Sequence, residues 1–256
     1  MYGNLVKEPV YKKIEGNINF EFDFSLDKNI KKMCYGIYEY ETVQFLKSRL
    51  HEGDTFIDVG ANIGYLSAVA ASCVGPNGEV HCFEPLPDYF ARLKKMANEN
   101  PNYSIHVNNF ACGDIEGSST IDLSNVGNIG WNTMVPSFIA DKKKSYTVEI
   151  KRLDKYIQEK KLSNISVIKI DVEGYEFPVL KGLQSLFDSH VFPVLLVEIA
   201  PGAYPLLGYS LGQLSEYMEH YHYSCELLSN PGIPFDIRTL SETTNVIFFH
   251  EGDFSI

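Results

Sequence analysis

The sequence lacks any run of apolar residues close to the roughly 20 that a transmembrane helix needs. Residues 1–13 also lack the apolar core of a signal peptide. The five cysteines are scattered and form no CxxC pair, which favours reduced thiols over a disulfide framework or a zinc site. Together these absences predict a cytoplasmic protein without a transmembrane segment.

Basic residues are scarce relative to acidic ones. The chain has 22 Lys and Arg against 33 Asp and Glu, which gives a formal net charge of −11. A surface of this sign repels phosphate backbones, so we expect no nucleic-acid partner. Internal repeats, low-complexity segments and long linkers are absent as well. We therefore expect a single domain over 38–256, preceded by an N-terminal extension over 1–37.

The chain does contain a regular alternation of strand-like and helix-like segments. Apolar runs predict strands at Thr55–Val59, Glu79–Phe83, Tyr103–Phe110, Ser166–Ile170 and Val194–Ile199, and a helical pattern covers Glu176–Phe187. This series predicts an α/β fold with a mostly parallel sheet and helices on both faces, because right-handed crossovers allow little else. Two closing strands, Cys225–Leu228 and Asn245–Phe249, bring the predicted count to seven and place one antiparallel strand at the sheet edge.

Two segments depart from this alternation. Alternating apolar residues over Asn17–Phe24 predict a strand or hairpin in the N-terminal extension. Residues 114–153 predict an inserted hairpin, whose strands Ser118–Leu123 and Tyr146–Ile150 enclose a loop rich in Asn, Gly and Ser. The only tryptophan, Trp131, belongs to this loop, where it would either cover the face of a sugar ring or anchor the loop in the core.

In an open parallel sheet, ligands bind beyond the carboxyl ends of the strands, so the candidate site lies there. The first strand ends in Asp58-Val59-Gly60-Ala61-Asn62-Ile63-Gly64. Gly60 and Gly64 allow a tight turn and a close approach of the backbone to a ligand. The loop lacks the middle glycine that a pyrophosphate binder needs, so it fits S-adenosylmethionine, which has no phosphate. A plain tight turn is the alternative.

The next two strand ends supply candidate contacts to ribose and adenine. Glu84 follows Gly60 by 24 residues, close to the spacing at which an acidic residue holds a ribose diol. An unphosphorylated ribose is therefore predicted, which fits adenosine and excludes NADP. We expect Asn109 and the backbone at Ala111 to border the adenine, while capping of the loop explains the asparagine nearly as well.

The fourth and fifth strands end in acidic residues. Asp171 and Glu173 follow the fourth strand, and Glu198 lies at the end of the fifth. Paired carboxylates at the mouth of a sheet indicate a sulfonium, a metal ion or a substrate hydroxyl between them, with helix capping as the alternative. Asp171 is the first candidate for a general base and Glu173 the second. Asp171 and Glu198 are also a candidate ligand pair for Mg²⁺.

These motifs, in this order, resemble the FkbM family of methyltransferases. The similarity runs from about Tyr38 to Pro201 in the segments FIDVGANIGYLSAVAA, HCFEPLPDYFARLKK, ACGD, RLDKY, IKIDVEGYEFPVLKGL and LLVEIAP. The combination of DVGANxG, FEP and KIDVEG is specific, while residues 1–37, 127–137 and the tail beyond Pro201 match less well. The resemblance implies a Rossmann-like class I methyltransferase fold.

The resemblance also implies a reaction and a set of site residues. The reaction is transfer of a methyl group from S-adenosylmethionine, typically to a hydroxyl of a sugar, glycan or secondary metabolite. The implied cofactor residues are Asp58, Gly60, Asn62, Gly64 and Glu84. Asp171 would lie near the reacting centre, and we include it in the cofactor-binding set as well as among the candidate bases. Glu39 and Glu41 both match a family position beside the cofactor, and we include Glu41 in the predicted set.

Two other functions remain open at the level of the sequence. An NAD-linked oxidoreductase would share the first loop and the ribose-binding acid, but the middle glycine is missing. A non-catalytic adenosine-binding module would keep Asp58–Gly64 and Glu84, yet it has no use for the pair Asp171 and Glu173. The preferred interpretation requires a small-molecule or glycan acceptor. It leaves open the acceptor atom and the oligomeric state, a homodimer included.

Overall fold

The computed structural model describes residues 8–27, 29–124, 132–138 and 141–251. Its strands are β1 (Val10–Ile14), β2 (Ile18–Phe22), β3 (Thr55–Val59), β4 (Glu79–Phe83), β5 (Ser104–Asn108), β6 (Ala111–Cys112), β7 (Gly117–Ser124), β8 (Asn132–Thr133), β9 (Lys142–Lys151), β10 (Ile165–Ile170), β11 (Val194–Ile199), β12 (Tyr223–Leu227), β13 (Asn230–Pro234) and β14 (Thr244–His250).

The α-helices are α1 (Asn29–Cys34), α2 (Tyr40–Arg49), α3 (Tyr65–Val74), α4 (Pro87–Asn98), α5 (Leu153–Lys160), α6 (Glu176–Lys181), α7 (Gln184–Asp188) and α8 (Leu211–His220). Two 3₁₀ segments cover Pro201–Leu207 and Ile237–Thr239. None of the described helices combines the length and the apolarity that crossing a membrane requires.

An eight-stranded sheet lies at the centre, in the order β13-β12-β14-β11-β10-β3-β4-β5. The strands from β11 to β5 pair in parallel, whereas β14 pairs antiparallel with both β11 and β12. The predicted α/β fold with a mostly parallel sheet is therefore confirmed. The strand order reverses between β3 and β10, and the crevice beyond their carboxyl ends is where such sheets bind ligands.

The edge of the sheet beyond β11 differs from the prediction. The predicted count of seven strands is one too low because β13 pairs with β12. The prolines Pro231 and Pro234 argue against a central strand, but an edge strand tolerates them since fewer of its N–H groups must pair. The antiparallel strand β14 lies inside the sheet, between β11 and β12, and not at its edge.

The helical pattern over Glu176–Phe187 forms two short helices, α6 and α7. The carbonyl of Gly182 accepts a hydrogen bond from the Asp154 N–H at 3.0 Å, at the start of α5. That carbonyl is thus engaged outside the helix, and the chain restarts with the Leu186 N–H bonded to the Leu183 carbonyl. The tertiary contact with α5 therefore ends α6, which the periodicity alone does not reveal.

Alternate residues of each central strand pack on opposite faces of the sheet. Phe56 of β3 packs with α1, α2, α3 and α4 on one face, whereas Ile57 packs with α5, α6, α7 and α8 on the other. Both side chains are fully buried. A sheet covered on both faces needs strands that are apolar throughout, which explains the continuous apolar runs in the sequence.

The two departures from the α/β alternation form separate sheets. β1 and β2 pair as an antiparallel hairpin, and Phe20 packs against Tyr65 of α3 with ring centroids 6.1 Å apart. β7 and β9 pair antiparallel as the predicted inserted hairpin, with β6 and β8 completing a four-stranded sheet. The prediction for Trp131 falls outside the described residues.

Candidate active site

A cavity of about 410 Å³ opens at the carboxyl ends of β3, β4, β10 and β11. The predicted residues that line it are Asp58, Gly60, Asn62, Glu84, Ala111, Asp171, Glu173 and Glu198. The fold thus brings together residues that are up to 140 positions apart in the chain, counting from Asp58 to Glu198 (198 − 58 = 140). This cavity is the crevice that the strand order predicts for a ligand.

The loop after β3 requires glycine at two positions. Gly60 has φ +81°, and a Cβ there would lie 1.8 Å from the carbonyl oxygen of Asp171. Gly64, which precedes α3, has φ +87°, and a Cβ there would lie 2.6 Å from the Leu93 side chain. The glycines therefore permit close contact with β10 and α4, and only Gly60 itself lines the cavity.

The carboxylate of Asp58 is held from two sides beneath this loop. The side chain is fully buried and accepts a hydrogen bond from the Ser67 hydroxyl at 2.6 Å. The ammonium of Lys169 lies 3.4 Å from Asp58 and 3.1 Å from Asp171. Burial alone would lower the pKa of Lys169, but the charges of Asp171 and Asp58 raise it above its usual range. Lys169 therefore stays charged between the two acids.

Glu84 is fixed at the end of β4 by the backbone. Its carboxylate accepts hydrogen bonds from the Asn62 N–H at 2.9 Å and the Leu86 N–H at 2.8 Å. Burial raises the pKa of Glu84 to about 7, although these two hydrogen bonds act in the opposite direction. Each carboxylate oxygen keeps a further lone pair, so Glu84 can accept hydrogen bonds from a ligand hydroxyl pair.

Asn109 supports the cavity wall without lining it. The side chain is exposed, and its amide donates hydrogen bonds to the carbonyls of Glu84 at 2.9 Å and Pro85 at 3.0 Å. Ala111, two residues on, does line the cavity. These contacts favour the alternative given for Asn109, which is capping of the loop.

A cluster of carboxylates occupies the other end of the cavity. Oxygen atoms of Asp171, Glu173 and Glu198 lie within 4.8 Å of one another, and Glu39 interacts electrostatically with all three. Burial and the charge of Asp171 raise the pKa of Glu173 to about 9. The charge of Asp171 and burial raise the pKa of Glu198 to about 10. Near neutral pH, Glu173 and Glu198 therefore carry protons unless a cation is close by.

The turn at Glu173 has a strained backbone, which hydrogen bonds to Thr133 and Glu176 stabilise. Glu173 has φ 51°, in the left-handed region that L-residues rarely adopt. Its carbonyl accepts a hydrogen bond from the Thr133 hydroxyl at 2.5 Å, and the next N–H, that of Gly174, donates to Glu176 at 2.6 Å. Helix capping, the alternative for Glu173, is not observed, since α6 has no side-chain cap.

One member of the predicted cofactor set, Glu41, lies outside the cavity. Glu41 lies in the first turn of α2 with an exposed side chain and does not line the cavity. Glu39 does line it, because the residue adopts a left-handed φ of 43° just before α2 begins and turns its side chain inward. Of the two acids that match the family position, only Glu39 reaches the site.

Lys169 is the main site residue that the sequence reasoning overlooked. It is 4% exposed in the buried part of β10, between the apolar residues Ile168 and Ile170. A buried lysine is rarely found without a charged partner. Its position in the segment IKID was therefore a usable signal. Tyr38 and Tyr89 also line the cavity, but nothing in their local sequence distinguishes them from core tyrosines.

Comparison with known proteins supports the resemblance drawn from the motifs. The family model described as the methyltransferase FkbM domain matches residues 58–225. Hexuronic acid methyltransferase AglP of Haloferax volcanii is 27% identical over 167 residues, which cover 65% of this chain and 64% of that protein. Methyltransferase sdnD of Sordaria araneosa is 29% identical, covering 50% of this chain and 59% of that protein. The chain thus spans less than two thirds of the length of either relative.

Similar structures carry related names. Methyltransferase FkbM from Methylobacillus flagellatus aligns with a TM-score of 0.48 and 16% identity, covering 89% of this chain and 64% of that one. A SAM-dependent O-methyltransferase from Thermotoga maritima aligns with a TM-score of 0.44 and 14% identity, covering 82% of this chain and 64% of that one.

Proposed function

The chain belongs to the FkbM methyltransferase family, and on that premise we propose that it transfers a methyl group from S-adenosylmethionine to a hydroxyl of a sugar, glycan or secondary metabolite. One observation carries the proposal. The ribose-binding candidate Glu84 and the acid Asp171 line the same cavity, on either side of the loop at Gly60. An adenosine-binding module needs Glu84, whereas methyl transfer to a hydroxyl also needs a carboxylate such as Asp171 that can accept the hydroxyl proton.

The residues at the ends of β3 and β4 fit the cofactor. Glu84 would accept hydrogen bonds from the ribose hydroxyls, and the glycine at position 60 leaves the backbone open to the rest of the molecule. Asp58 would support the loop from beneath and would not bind the cofactor directly, since its carboxylate already bonds to Ser67 and Lys169. The carboxylates of Glu39 and Asp171 suit a positively charged ligand. When bound, the cofactor supplies an electrophilic methyl group.

Asp171 is the proposed general base for the acceptor hydroxyl. A hydroxyl is a poor nucleophile while protonated, so a carboxylate that removes the proton accelerates transfer. The ammonium of Lys169, 3.1 Å away, stabilises negative charge on Asp171. Glu173, the second candidate, has a pKa of about 9 because of burial and the Asp171 charge, so it holds its own proton near neutral pH.

Mg²⁺ is a second ligand that we propose to test at the same acids. Asp171, Glu173 and Glu198 offer oxygen atoms within 4.8 Å of one another, and oxygen is the ligand atom that Mg²⁺ prefers. A bound ion would lower the pKa of an acceptor hydroxyl, so that Asp171 could remove its proton more easily. Methyl transfer that is unchanged by EDTA would exclude this part of the proposal.

The acceptor class is proposed from the relatives and the cavity together. AglP acts on a hexuronic acid, as its name states, and a cavity of about 410 Å³ accommodates molecules of the size of a nucleoside and a sugar ring. The net charge of −11 further supports the absence of a nucleic-acid partner. The five scattered cysteines support a reducing, cytoplasmic location.

The test is an acceptor panel assayed with S-adenosylmethionine. Purified protein is incubated with hydroxylated sugars, uronic acids, glycans and polyketide alcohols, and methylated products are detected by mass spectrometry. We expect at least one methyl ether, formed by the wild type and lost in Asp171→Asn. Binding of the cofactor without any methylated product would favour the adenosine-binding module. Oxidation of an acceptor with NAD would favour the oxidoreductase.

A further inference from the structure

Two histidines lie side by side on the central sheet, outside the cavity. His81 of β4 and His106 of β5 occupy paired positions of the parallel ladder, and their rings stack with centroids 4.5 Å apart at 13°. Glu79 lies two residues before His81, so both side chains point to the same face of the sheet. None of the three residues lines the candidate active site.

The three side chains converge on one point. One ligand atom from each of Glu79, His81 and His106 lies within 4.8 Å of the other two. The Nε2 atom of His81 is 2.9 Å from Glu79 Oε2, and the Nε2 atom of His106 is 3.9 Å from the same oxygen. Ligands bonded to one tetrahedral ion at about 2.0–2.1 Å lie roughly 3.3 Å apart, so these distances bracket the required spacing.

The environment of His81 resembles that of a metal ligand. The ring is 2% exposed, and burial lowers its pKa to about 4, so the imidazole is neutral at physiological pH. Its Nδ1 atom is 2.9 Å from the Tyr156 hydroxyl, whose oxygen also accepts a hydrogen bond from Asn108 at 3.2 Å. Ligating histidines commonly use the second nitrogen in this way, which fixes the ring and leaves Nε2 for the ion.

The other two proposed ligands, Glu79 and His106, are partly exposed, so an ion can reach the cluster from solvent. Side-chain exposure is 49% for His106 and 45% for Glu79. The Nε2 atom of His106 is 3.0 Å from the Ser104 hydroxyl, an exposed contact that an ion would replace. The charge of Lys160 also acts on His81 and opposes a nearby cation, so the affinity should be moderate.

We propose that Glu79, His81 and His106 bind Zn²⁺, and that the ion joins β4 to the edge strand β5. Two imidazoles and one carboxylate are a donor set that suits zinc and neighbouring transition metals, and suits Mg²⁺ or Ca²⁺ poorly. Because the ion binds the folded sheet, it raises the thermal stability of the protein by mass action. The inference does not depend on the proposed methyl transfer.

The test uses chelator-treated protein titrated with Co²⁺ and with Zn²⁺. We expect one Co²⁺ per chain to bind at the histidines, seen in its visible absorption, and a rise in melting temperature with Zn²⁺ that His106→Ala reduces. His106→Ala removes an exposed ligand and should weaken Co²⁺ binding at least tenfold. Glu79→Gln should weaken it as well, while keeping a side-chain oxygen as a hydrogen-bond partner for the buried His81.

The matched control is His220→Ala, since His220 is an exposed histidine on α8 outside the cluster. It should leave the affinity unchanged. Failure of the wild type to bind Co²⁺, or equal affinity in the wild type and His106→Ala, would overturn the proposal. So would an equal loss of binding in His220→Ala, which would place the ion elsewhere.

Discussion

The two ends of the candidate active site differ in how their acidic side chains are paired. At the proposed cofactor end, Asp58 bonds to Ser67 and Lys169, and Glu84 bonds to two backbone N–H groups. At the acid-rich end, no described Lys or Arg forms an ion pair with Glu173 or Glu198, whose pKa values lie well above the usual range because of burial and the nearby Asp171 charge.

The acids at the proposed cofactor end already have hydrogen-bond or ion-pair partners, whereas those at the acid-rich end lack a positively charged partner among the described residues. Hydrogen-bonded carboxylates are held in a fixed position. They need nothing from the ligand except hydroxyl groups that donate hydrogen bonds to them. Crowded carboxylates destabilise the folded chain while they are ionised, because like charges in a buried cluster repel each other. A sulfonium or a divalent ion would relieve that repulsion. We therefore expect substitutions at the two ends to have different consequences.

The largest effect should come from removing the glycine that joins the two ends. Gly60→Ala would place a Cβ 1.8 Å from the Asp171 carbonyl, so the loop must move away from β10. We expect no measurable cofactor binding and a loss in the free energy of unfolding on the order of 3 kcal/mol or more. Calorimetric titration and chemical denaturation measure the two quantities.

Gly53→Ala is the matched control for this substitution. Gly53 has φ +88°, close to the +81° of Gly60, but no atom lies within 4 Å of a Cβ built there. Only the backbone strain of about 1–2 kcal/mol should therefore appear. Equal effects of the two substitutions would mean that the close contact between Gly60 and the Asp171 carbonyl is unimportant.

The second largest effect should be confined to the chemical step. Asp171→Asn preserves the size of the side chain but removes the proposed base, so we expect turnover to fall about 10²–10⁴-fold. Affinity for S-adenosylmethionine should change only a few-fold, because the contacts of Glu84 are untouched. The exposed acid Glu41 serves as control, and Glu41→Gln should behave as the wild type. Near-normal turnover in Asp171→Asn would remove the base assignment.

At the cofactor end, a smaller effect should appear in cofactor binding and not in the chemical step. Glu84→Gln loses the charge that strengthens hydrogen bonds to ribose hydroxyls, and such bonds contribute about 1.5–3 kcal/mol. The dissociation constant for S-adenosylmethionine should rise about 10- to 100-fold, while turnover at saturating cofactor changes less. Asp88→Asn, an exposed acid in the first turn of α4, is the control. A turnover defect without a binding defect would contradict the comparison.

The smallest effect concerns stability as a function of pH. Glu198 has a folded-state pKa of about 10, raised by the Asp171 charge and by burial from an ordinary value of 4.5. A raised carboxyl pKa contributes stability that is present below pH 4.5 and is lost as the pH rises towards 10. Glu198→Gln should therefore melt higher than the wild type, by a few degrees at pH 8 and by less at pH 5.

Glu216→Gln on the exposed face of α8 is the control for that measurement. It should follow the wild type at every pH. If Glu198→Gln melts at the same temperature as the wild type at both pH values, the carboxylate cluster is not under electrostatic strain.

The sequence predicted which residues line the proposed cofactor end of the cavity, because the signals there are local. The glycines at 60 and 64 mark a tight turn within seven residues, and Glu84 follows at a spacing that a βαβ unit fixes. Continuous apolar runs predicted the central strands for the same reason, since each strand is buried on both faces. Lys169 was missed although it stands inside such a run.

Other features depend on contacts that one segment does not reveal. The choice between Glu39 and Glu41 rests on a left-handed φ at position 39, which a non-glycine residue rarely adopts. The break between α6 and α7 follows from the bond between Asp154 and Gly182. β13 pairs despite its prolines because it lies at an edge. The proximity of Glu198 to Asp171, in contrast, was predicted, because both acids follow parallel strands that end at the same edge of the sheet.

Calorimetric titration of the purified chain with S-adenosylmethionine, and separately with NAD, tests the central claim most directly. We predict binding of one S-adenosylmethionine per chain, weakened at least tenfold by Glu84→Gln, and no heat of binding with NAD. Absence of binding with S-adenosylmethionine, or binding that Glu84→Gln leaves unchanged, would contradict the assignment of the cavity at the ends of β3 and β4.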